Sequence, residues 1–269
     1  MKINKHTKIY FSVSSFPSNR GSILHNFLFS AFSFNAIYIP LRIKKLETFI
    51  SFVKEISQNM GGFSVSMPFK KKIIKYLSTK SYEVKNTLSC NTVVFKNGKL
   101  IGYNTDYFAI FESLKRFKNL RKKKIQILGN GATCKTVLVI LQKLGFRKLY
   151  IFSRKRGSSS TKNISHLPWK DRNKDNFEML INTTPIGMNN FKIDDAPILD
   201  KKIKEKKVII DFPIPLKKKS TLNVKSNKYG VKYISGKDLH FLQGIEQAQI
   251  YLGKKIGLKL LKTVKRNIY

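Results

Sequence analysis

Acidic residues are scarce: 15 Asp and Glu stand against 53 Lys and Arg, a formal charge of +38 over 269 residues. Such an excess ordinarily points to nucleic acid or an anionic membrane. Here the cations are spread over nearly every segment, as in Lys71 to Lys75, Lys122 to Lys124, Lys201 to Lys207 and Lys217 to Lys219. A solvated basic surface, of the kind an AT-biased coding composition produces, accounts for that scatter better than a selected polyanion site. Cysteine is nearly absent. Cys90 and Cys134 lie beside apolar runs, offer no disulfide framework and suit a reducing cytoplasm. No run is long enough to span a membrane, and the Tyr10-to-Val13 run is too brief for a signal core. A soluble cytoplasmic protein is expected, with no metal site. What is plentiful is apolar: hydrophobic residues make up 42% and aromatics 12%, which excludes wholesale disorder. The length allows one large domain or two ordinary ones, and two fits better.

The chain is organised around Lys124 to Arg154. Ile125 to Leu128 is a short apolar run suited to a buried parallel strand, and it stops at Gly129-Asn130-Gly131-Ala132-Thr133-Cys134. Val137, Leu138, Leu141 and Leu144 then recur at helical spacing, Gly145 suits a C-cap, and Leu149 to Phe152 is apolar again. This is a β-α-β unit. Its glycines meet a steric need, since the first must turn tightly from strand to helix and the second must let a pyrophosphate approach the helix N-terminus. Cys134 stands where a third glycine would allow close helix packing. At the end of the second strand, an NAD enzyme carries an acidic residue for the ribose hydroxyls, whereas Ser153-Arg154-Lys155-Arg156 presents cations suited to a 2′-phosphate. NADP is the expected cofactor.

Earlier in the chain, Thr7 to Ser14 reads as a first strand, followed by a hydroxyl-rich loop whose Ser22 can cap the next helix. Ala36 to Ile43 is a second strand and Leu46 to Ile56 a helix. In Gly61 to Lys70, strand alternation sets Ser64 and Ser66 on one side, and Pro68 is expected to start a helix with Lys70 in its first turn. A cation there opposes the helix dipole, although one more lysine in a lysine-rich chain is the bland account. Asn97-Gly98 marks a hairpin between Cys90 to Phe95 and Leu100 to Tyr103. Asp106 either caps the helix Tyr107 to Arg116 or pairs with Lys70. Ser158 to Asn176 is polar, and only a short or irregular crossover helix is expected there. Met179 to Asn182 and Val208 to Asp211 are strands, Lys217 to Asn227 is polar, and Val231 to Ile234 is a last strand. Asp238 to Val264 is helical, interrupted at Gly253 and Gly257.

Taken together, these segments resemble shikimate dehydrogenase along nearly the whole chain. The resemblance is carried by Pro17-Ser18-Asn19-x-Gly21 with His25-Asn26, Ser64-Val65-Ser66-Met67-Pro68-Phe69-Lys70, Asn91-Thr92-Val93 and Gly102-Tyr103-Asn104-Thr105-Asp106. It continues through Gly129-x-Gly131-Ala132, Ser153-Arg154, Ile181-Asn182-Thr183-Thr184-Pro185-Ile186-Gly187-Met188, and Gly236 with Gln243 and Gln247. It implies reduction of 3-dehydroshikimate to shikimate with NADPH, in aromatic amino-acid biosynthesis, with Lys70 and Asp106 as the catalytic pair. Ser66, Asn91 and Gln243 match family positions that hydrogen-bond the substrate hydroxyls, and Thr183 and Met188 lie in a loop near the nicotinamide. The usual His-Ser-x-Ser-Pro loop is replaced here, which is similar to the shikimate dehydrogenase-like branch. Ser18, Asn19 and Ser22 are the candidate replacements. The family's tyrosine after Asp211 is missing, with Ile214 nearby, and Ser153 replaces an asparagine beside the NADP arginine, Arg154.

The implied architecture is α/β: a three-layer α/β substrate domain at 1–106, a Rossmann-type NADP-binding domain at 107–235, and a C-terminal helical segment at 236–269 returning to the first domain. The cofactor-binding set is Gly129, Asn130, Gly131, Ala132, Thr133, Ser153, Arg154, Lys155, Thr183 and Met188. The expected partner is a small-molecule substrate, with no membrane or nucleic acid, and the sequence leaves monomer and homodimer open. Two other functions fit the same residues: a quinate-type dehydrogenase acting on another hydroxylated cyclohexane carboxylate, and a basic nucleic-acid-binding protein on a decayed enzyme fold.

Overall fold

The computed structural model describes residues 3–154, 162–188, 196–215 and 219–268. Contacts divide the chain into two compact units, one within Met1–Ala109 and Phe241–Tyr269, the other Ile110–His240. In order, the chain forms β1 (Lys8–Ser14), α1 (Arg20–Ala31), β2 (Ala36–Arg42), α2 (Leu46–Glu55) and β3 (Met60–Val65). A 3-10 turn (Lys72–Tyr76) follows, then β4 (Thr79–Lys80), α3 (Tyr82–Thr87), β5 (Thr92–Lys96), β6 (Lys99–Tyr103) and α4 (Thr105–Leu114). The second half begins with β7 (Lys124–Leu128), α5 (Ala132–Lys143), β8 (Lys148–Ser153), β9 (Ile164–Pro168) and β10 (Met179–Asn182). It continues with α6 (Asp200–Lys204), β11 (Val208–Asp211), α7 (Thr221–Lys228), β12 (Lys232–Ser235), α8 (Gly236–Leu252) and α9 (Leu258–Ile268).

In the first unit the sheet order is β2-β1-β3-β5-β6-β4. β1 pairs in parallel with both β2 and β3, and β5 and β6 form an antiparallel hairpin beside them. That hairpin turns at Asn97 and Gly98, both with positive φ (51° and 70°), the backbone that a two-residue type I′ turn demands. Side-chain alternation along β1 separates two cores. Phe11 and Val13 pack with Phe49, Val53, Phe63 and Ile73 on one face. Tyr10 packs on the other with Leu24, Phe29, Tyr38, Ile245, Tyr251 and Val264. The C-terminal helices α8 and α9 therefore close the first unit, because their apolar residues complete the core that α1 and β2 begin. Gly253, at φ 63°, sits in the break between them.

The second unit is built on a six-stranded parallel sheet of order β12-β11-β10-β7-β8-β9. This is a doubly wound sheet whose strand order reverses between β7 and β10. Several elements depart from the sequence expectations. The polar stretch after Arg154 contains a further strand, β9, paired along its length with β8, and a 3-10 turn over Trp169–Asn173. β9 is an edge strand in which only Ile164 is buried, so it carries no apolar alternation to betray it. The polar stretch after Lys217 contains α7, capped by Ser220 and anchored by Leu222. No helix among the described residues is long and apolar enough to cross a membrane.

Lys206, just before β11, is 5% exposed, and its ammonium has no hydrogen-bond partner among the described residues. It lies 5.4 Å from the centre of the Phe177 ring. Desolvation outweighs the nearby Glu205 and Glu178 and pulls its pKa from the ordinary 10.5 to about 8. The unfolded chain binds the extra proton between those values, so folding is penalised below pH 8 and the penalty fades as pH rises toward 10.5. The cost at pH 7 is on the order of 2–3 kcal/mol, from about 1.4 kcal/mol per unit of pKa and some relief from the ring. Lys206→Met should raise the melting temperature at pH 7, and the advantage should shrink steadily in melts run up to about pH 10. Equal melting temperatures at pH 7 would rule the penalty out.

Candidate active site

In the first unit, strand order reverses between β1 and β3, the kind of switch point outside which open α/β sheets bind ligands. The segment after β1 carries Ser18 and Asn19; the segment after β3 carries Ser66 and Lys70. Lys70 is not in a helix. Ser66 to Phe69 closes a turn through Phe69 N–H to Ser66 O (2.9 Å), and the Lys70 carbonyl accepts Cys90 N–H (2.9 Å) in place of a helical partner. The turn sinks Phe69 into the core and pins the Lys70 backbone beside the start of β5. The expected clash of this lysine with a helix dipole therefore does not arise.

Lys70 Nζ donates to Asp106 Oδ2 at 2.6 Å. Of the two roles open to Asp106, the structure gives the capping one to Asn104, whose Oδ1 accepts Tyr107 N–H (3.3 Å). Asp106 is left in the first turn of α4 with its carboxylate on the ammonium. The two side chains are 29% and 34% exposed, so the pair contributes little to stability and stays within reach of a ligand.

Behind this pair lies a buried amide and hydroxyl network. Asn91 Oδ1 accepts from Thr105 N–H (2.9 Å) and Thr92 Oγ1 (2.9 Å), while Asn91 Nδ2 donates to Thr105 Oγ1 (3.0 Å) and Gln243 Oε1 (3.4 Å). Gln247, one turn beyond Gln243 on α8, donates to Thr92 Oγ1 (2.7 Å), and its Oε1 lies 2.9 Å from His25 Nε2. The network joins Asn91 and Gln243 to the residue preceding Asp106. Thr92, Thr105 and Gln247 appear in the sequence only as members of the matching motifs, without a role; the four-residue spacing of Gln243 and Gln247 on one helix is the signal that could have set Gln247 beside Gln243. Ser66 is exposed just past β3, whereas Ser64 is engaged with the Tyr38 hydroxyl at 2.5 Å. Ser18 and Asn19 are exposed at the start of α1. Asn19, not Ser22, is the cap position of that helix, and Ser22 Oγ donates to the Asn19 carbonyl (2.9 Å). Among the described residues, no hydrogen bond joins the Ser18, Asn19, Ser22 or Ser66 side chain to the amide network.

In the second unit, the reversal between β7 and β10 brings together the two segments singled out for the cofactor. Gly129 has φ 98°, and a Cβ there would lie 2.8 Å from Thr183 Oγ1 and 3.2 Å from the Thr184 methyl, so the glycine is required on both counts. Thr183 Oγ1 donates to the Leu128 carbonyl (2.6 Å), locking the loop after β10 to the end of β7. Gly131 precedes α5 with no side-chain cap, and a Cβ placed on it would meet nothing within 4 Å. Open space in front of uncapped helix N–H groups, next to Asn130, Ala132 and Thr133, fits a phosphate group. Arg154 is exposed at the end of β8, beside buried Ser153, with no acidic residue at the strand end. Lys155 lies outside the described residues. Met188 is 38% exposed.

That loop is fastened from below. Asn182 Oδ1 accepts Thr184 N–H (3.1 Å) and Thr184 Oγ1 (2.6 Å), and its Nδ2 donates to the Ile186 carbonyl (3.2 Å) and Asp211 Oδ1 (2.7 Å). Burial raises the Asp211 carboxyl to about 6 against three donors that hold it down. Burial also pushes the Cys90 and Cys134 thiols up to about 12, so neither is a nucleophile. No group of acidic, histidine or cysteine side chains among the described residues is arranged to hold a metal ion.

Residues 18–93 match the family described as "Shikimate dehydrogenase substrate binding domain". A shikimate dehydrogenase (NADP(+)) of Pyrococcus furiosus is 30% identical over 97% of this chain and 96% of its own. A shikimate dehydrogenase-like protein of Haemophilus influenzae is 28% identical over 96% of both chains. The solved structure of a shikimate 5-dehydrogenase-like protein superimposes over 99% of both chains with a TM-score of 0.88 at 26% identity. An identity of this level along the full length, on a fold with the same two units, places the chain in the shikimate dehydrogenase family of oxidoreductases.

Proposed function

We propose that this protein reduces 3-dehydroshikimate to shikimate with NADPH, using Lys70 as the acid and base. The observation that carries the proposal is the 2.6 Å contact between Lys70 Nζ and Asp106 Oδ2 at the carboxyl end of a parallel strand. NADPH supplies the hydride when bound. Reduction of a ketone leaves charge on its oxygen, and a neighbouring ammonium that gives up a proton there removes it; in the oxidative direction the free amine takes the hydroxyl proton back. Asp106 has two tasks: its carboxylate fixes the direction of the Lys70 side chain and compensates its charge within a half-exposed site. Asn91 and Gln243 supply amides near the same point, fixed by the Thr105 and Thr92 contacts, and suit a ligand bearing several hydroxyls. Ser66 offers an exposed hydroxyl four residues before Lys70.

For the cofactor, the open helix N-terminus at Gly131 suits the pyrophosphate, and Arg154 suits a 2′-phosphate. Thr183 and Met188 belong to the loop held against Gly129. The altered stretch from Ser18 to Ser22, with its Ser22 hydroxyl turned back onto Asn19, favours a second reading in which quinate or a related acid is the substrate.

Purified protein supplied with NADP and either shikimate or quinate should reduce the nicotinamide, and the ratio of kcat/KM for the two acids decides between the readings; no absorbance change with either would reject both. Lys70→Ala should lower kcat by about 10²- to 10⁴-fold while NADPH affinity stays near that of the parent. Unaltered turnover in that variant would remove Lys70 from proton transfer. Arg154→Ala should weaken NADPH by about 10-fold or more and NADH only slightly, measured by nicotinamide fluorescence titration. Equal losses would argue against a phosphate contact.

A further inference from the structure

Asp211 is 1% exposed at the carboxyl end of β11, and no step of the proposed reaction uses it. Its Oδ1 accepts from Asn182 Nδ2 (2.7 Å), and its Oδ2 accepts from the Tyr233 hydroxyl (2.5 Å) and from Ser220 Oγ (3.2 Å). A carboxylate buried this deeply costs folding free energy that an apolar residue of the same volume would avoid. Its environment bears this out, since burial has lifted its pKa from 3.8 to about 6 in spite of three hydrogen-bond donors. Of those donors, Tyr233 belongs to the scaffold, as a residue of β12. Ser220 caps α7 by accepting Asn223 N–H and also packs on the 183–188 loop, its Cβ 3.4 Å from where a Cβ on Gly187 would lie.

Asn182 hydrogen-bonds that loop directly. It is fully buried and uses both ends of its amide on the loop that follows β10: Oδ1 takes the N–H and hydroxyl of Thr184, and Nδ2 holds the Ile186 carbonyl as well as Asp211. Thr184 Oγ1 in turn accepts Ile186 N–H (3.3 Å). Asp211 accepts only from the amide's NH₂ end, so it selects which way the amide faces. A flipped Asn182 would aim its carbonyl at the carboxylate and its NH₂ at Thr184 N–H, two repulsive contacts in a buried site. The face of the loop thus selected is the one that meets Gly129 through Thr183 and Thr184.

We infer that Asp211 is a positioning residue for the cofactor, acting through the Asn182 amide to hold the 183–188 loop against the glycine turn. The inference rests on the cofactor assignment proposed above. It implies that losing the carboxylate is felt at the nicotinamide nucleotide and not at the Lys70 site, because the chain of hydrogen bonds ends on the loop.

The test is NADPH titration of the full-length protein and five variants, with a melt for each. Asp211→Leu should raise the NADPH Kd by about 10-fold, Asn182→Ala by a similar factor, and the double variant by the same factor instead of their product, because both remove one link. Asp211→Asn can still accept from Asn182 and should recover most of the affinity. Tyr233→Phe removes a donor on the other oxygen and should lower the melting temperature with an NADPH Kd within about 2-fold of the parent. If Asp211→Leu does not fold, Thr184→Val cuts the same chain at its far end and should show the same selective loss. Multiplying effects in the double variant, or equal NADPH losses in Asp211→Leu and Tyr233→Phe, would overturn the inference while leaving the cofactor assignment standing. Failure of the parent protein to bind NADPH would overturn both.

Discussion

The side-chain amide of Asn91 is the constraint on which the geometry of the first unit's candidate site depends. It sits 4% exposed at the start of β5, and its oxygen accepts the N–H of Thr105 while its nitrogen reaches Gln243. One planar group thereby sets the position of a strand, of the first turn of α4 and of the returning helix α8. Asp106 follows Thr105 directly, so the carboxylate's place is inherited from that amide. Lys70 is held independently, by the Cys90 N–H on its carbonyl, one residue before Asn91. The ion pair is therefore a consequence of backbone placement on both sides, which is what a contact weak in its own right requires.

The two units solve the same problem in the same way. Each has a parallel run whose strand order reverses, β1 beside β3 in one and β7 beside β10 in the other, and in each the candidate site residues lie where the chain leaves those strands. The first uses polar side chains at that point. The second uses backbone, through Gly129 and the uncapped start of α5, and keeps its polar side chains underneath as support. The difference suits the ligands proposed, since hydroxyls of a small ring are distinguished by directed donors and acceptors, and a pyrophosphate is met by helix N–H groups.

Much of this was legible in the residues. The β7-α5-β8 unit was apparent from an apolar run, a glycine turn and helical periodicity, because each of these elements buries most of its length. The Asn97-Gly98 hairpin and the glycine break after α8 were apparent because positive φ restricts residue choice. Elements held by few buried side chains were not: β9 rests on Ile164, α7 on Leu222 and Ser226, and α6 on Lys202 and Ile203. Nothing in their own spacing distinguishes them from loop. In the site, Lys70 and Asp106 stood out by motif, but the turn around Lys70 did not, since its backbone partner, Cys90, lies twenty residues away. The hydrogen bonds between His25 and Gln247 and from Asn182 to Asp211 join segments far apart in sequence, and no local pattern encodes them.

One contact away from the site bears on how copies of this molecule meet. β2 is an edge strand of the first sheet, and Asn26 holds the backbone of its Tyr38 at both ends, accepting the N–H at 2.8 Å and donating to the carbonyl at 2.9 Å. A carboxamide from α1 thus imitates the neighbour that the border strand lacks. Any intruding chain that tried to extend the sheet there would first have to evict that side chain, so the rim is sealed at its midpoint against templated polymerisation.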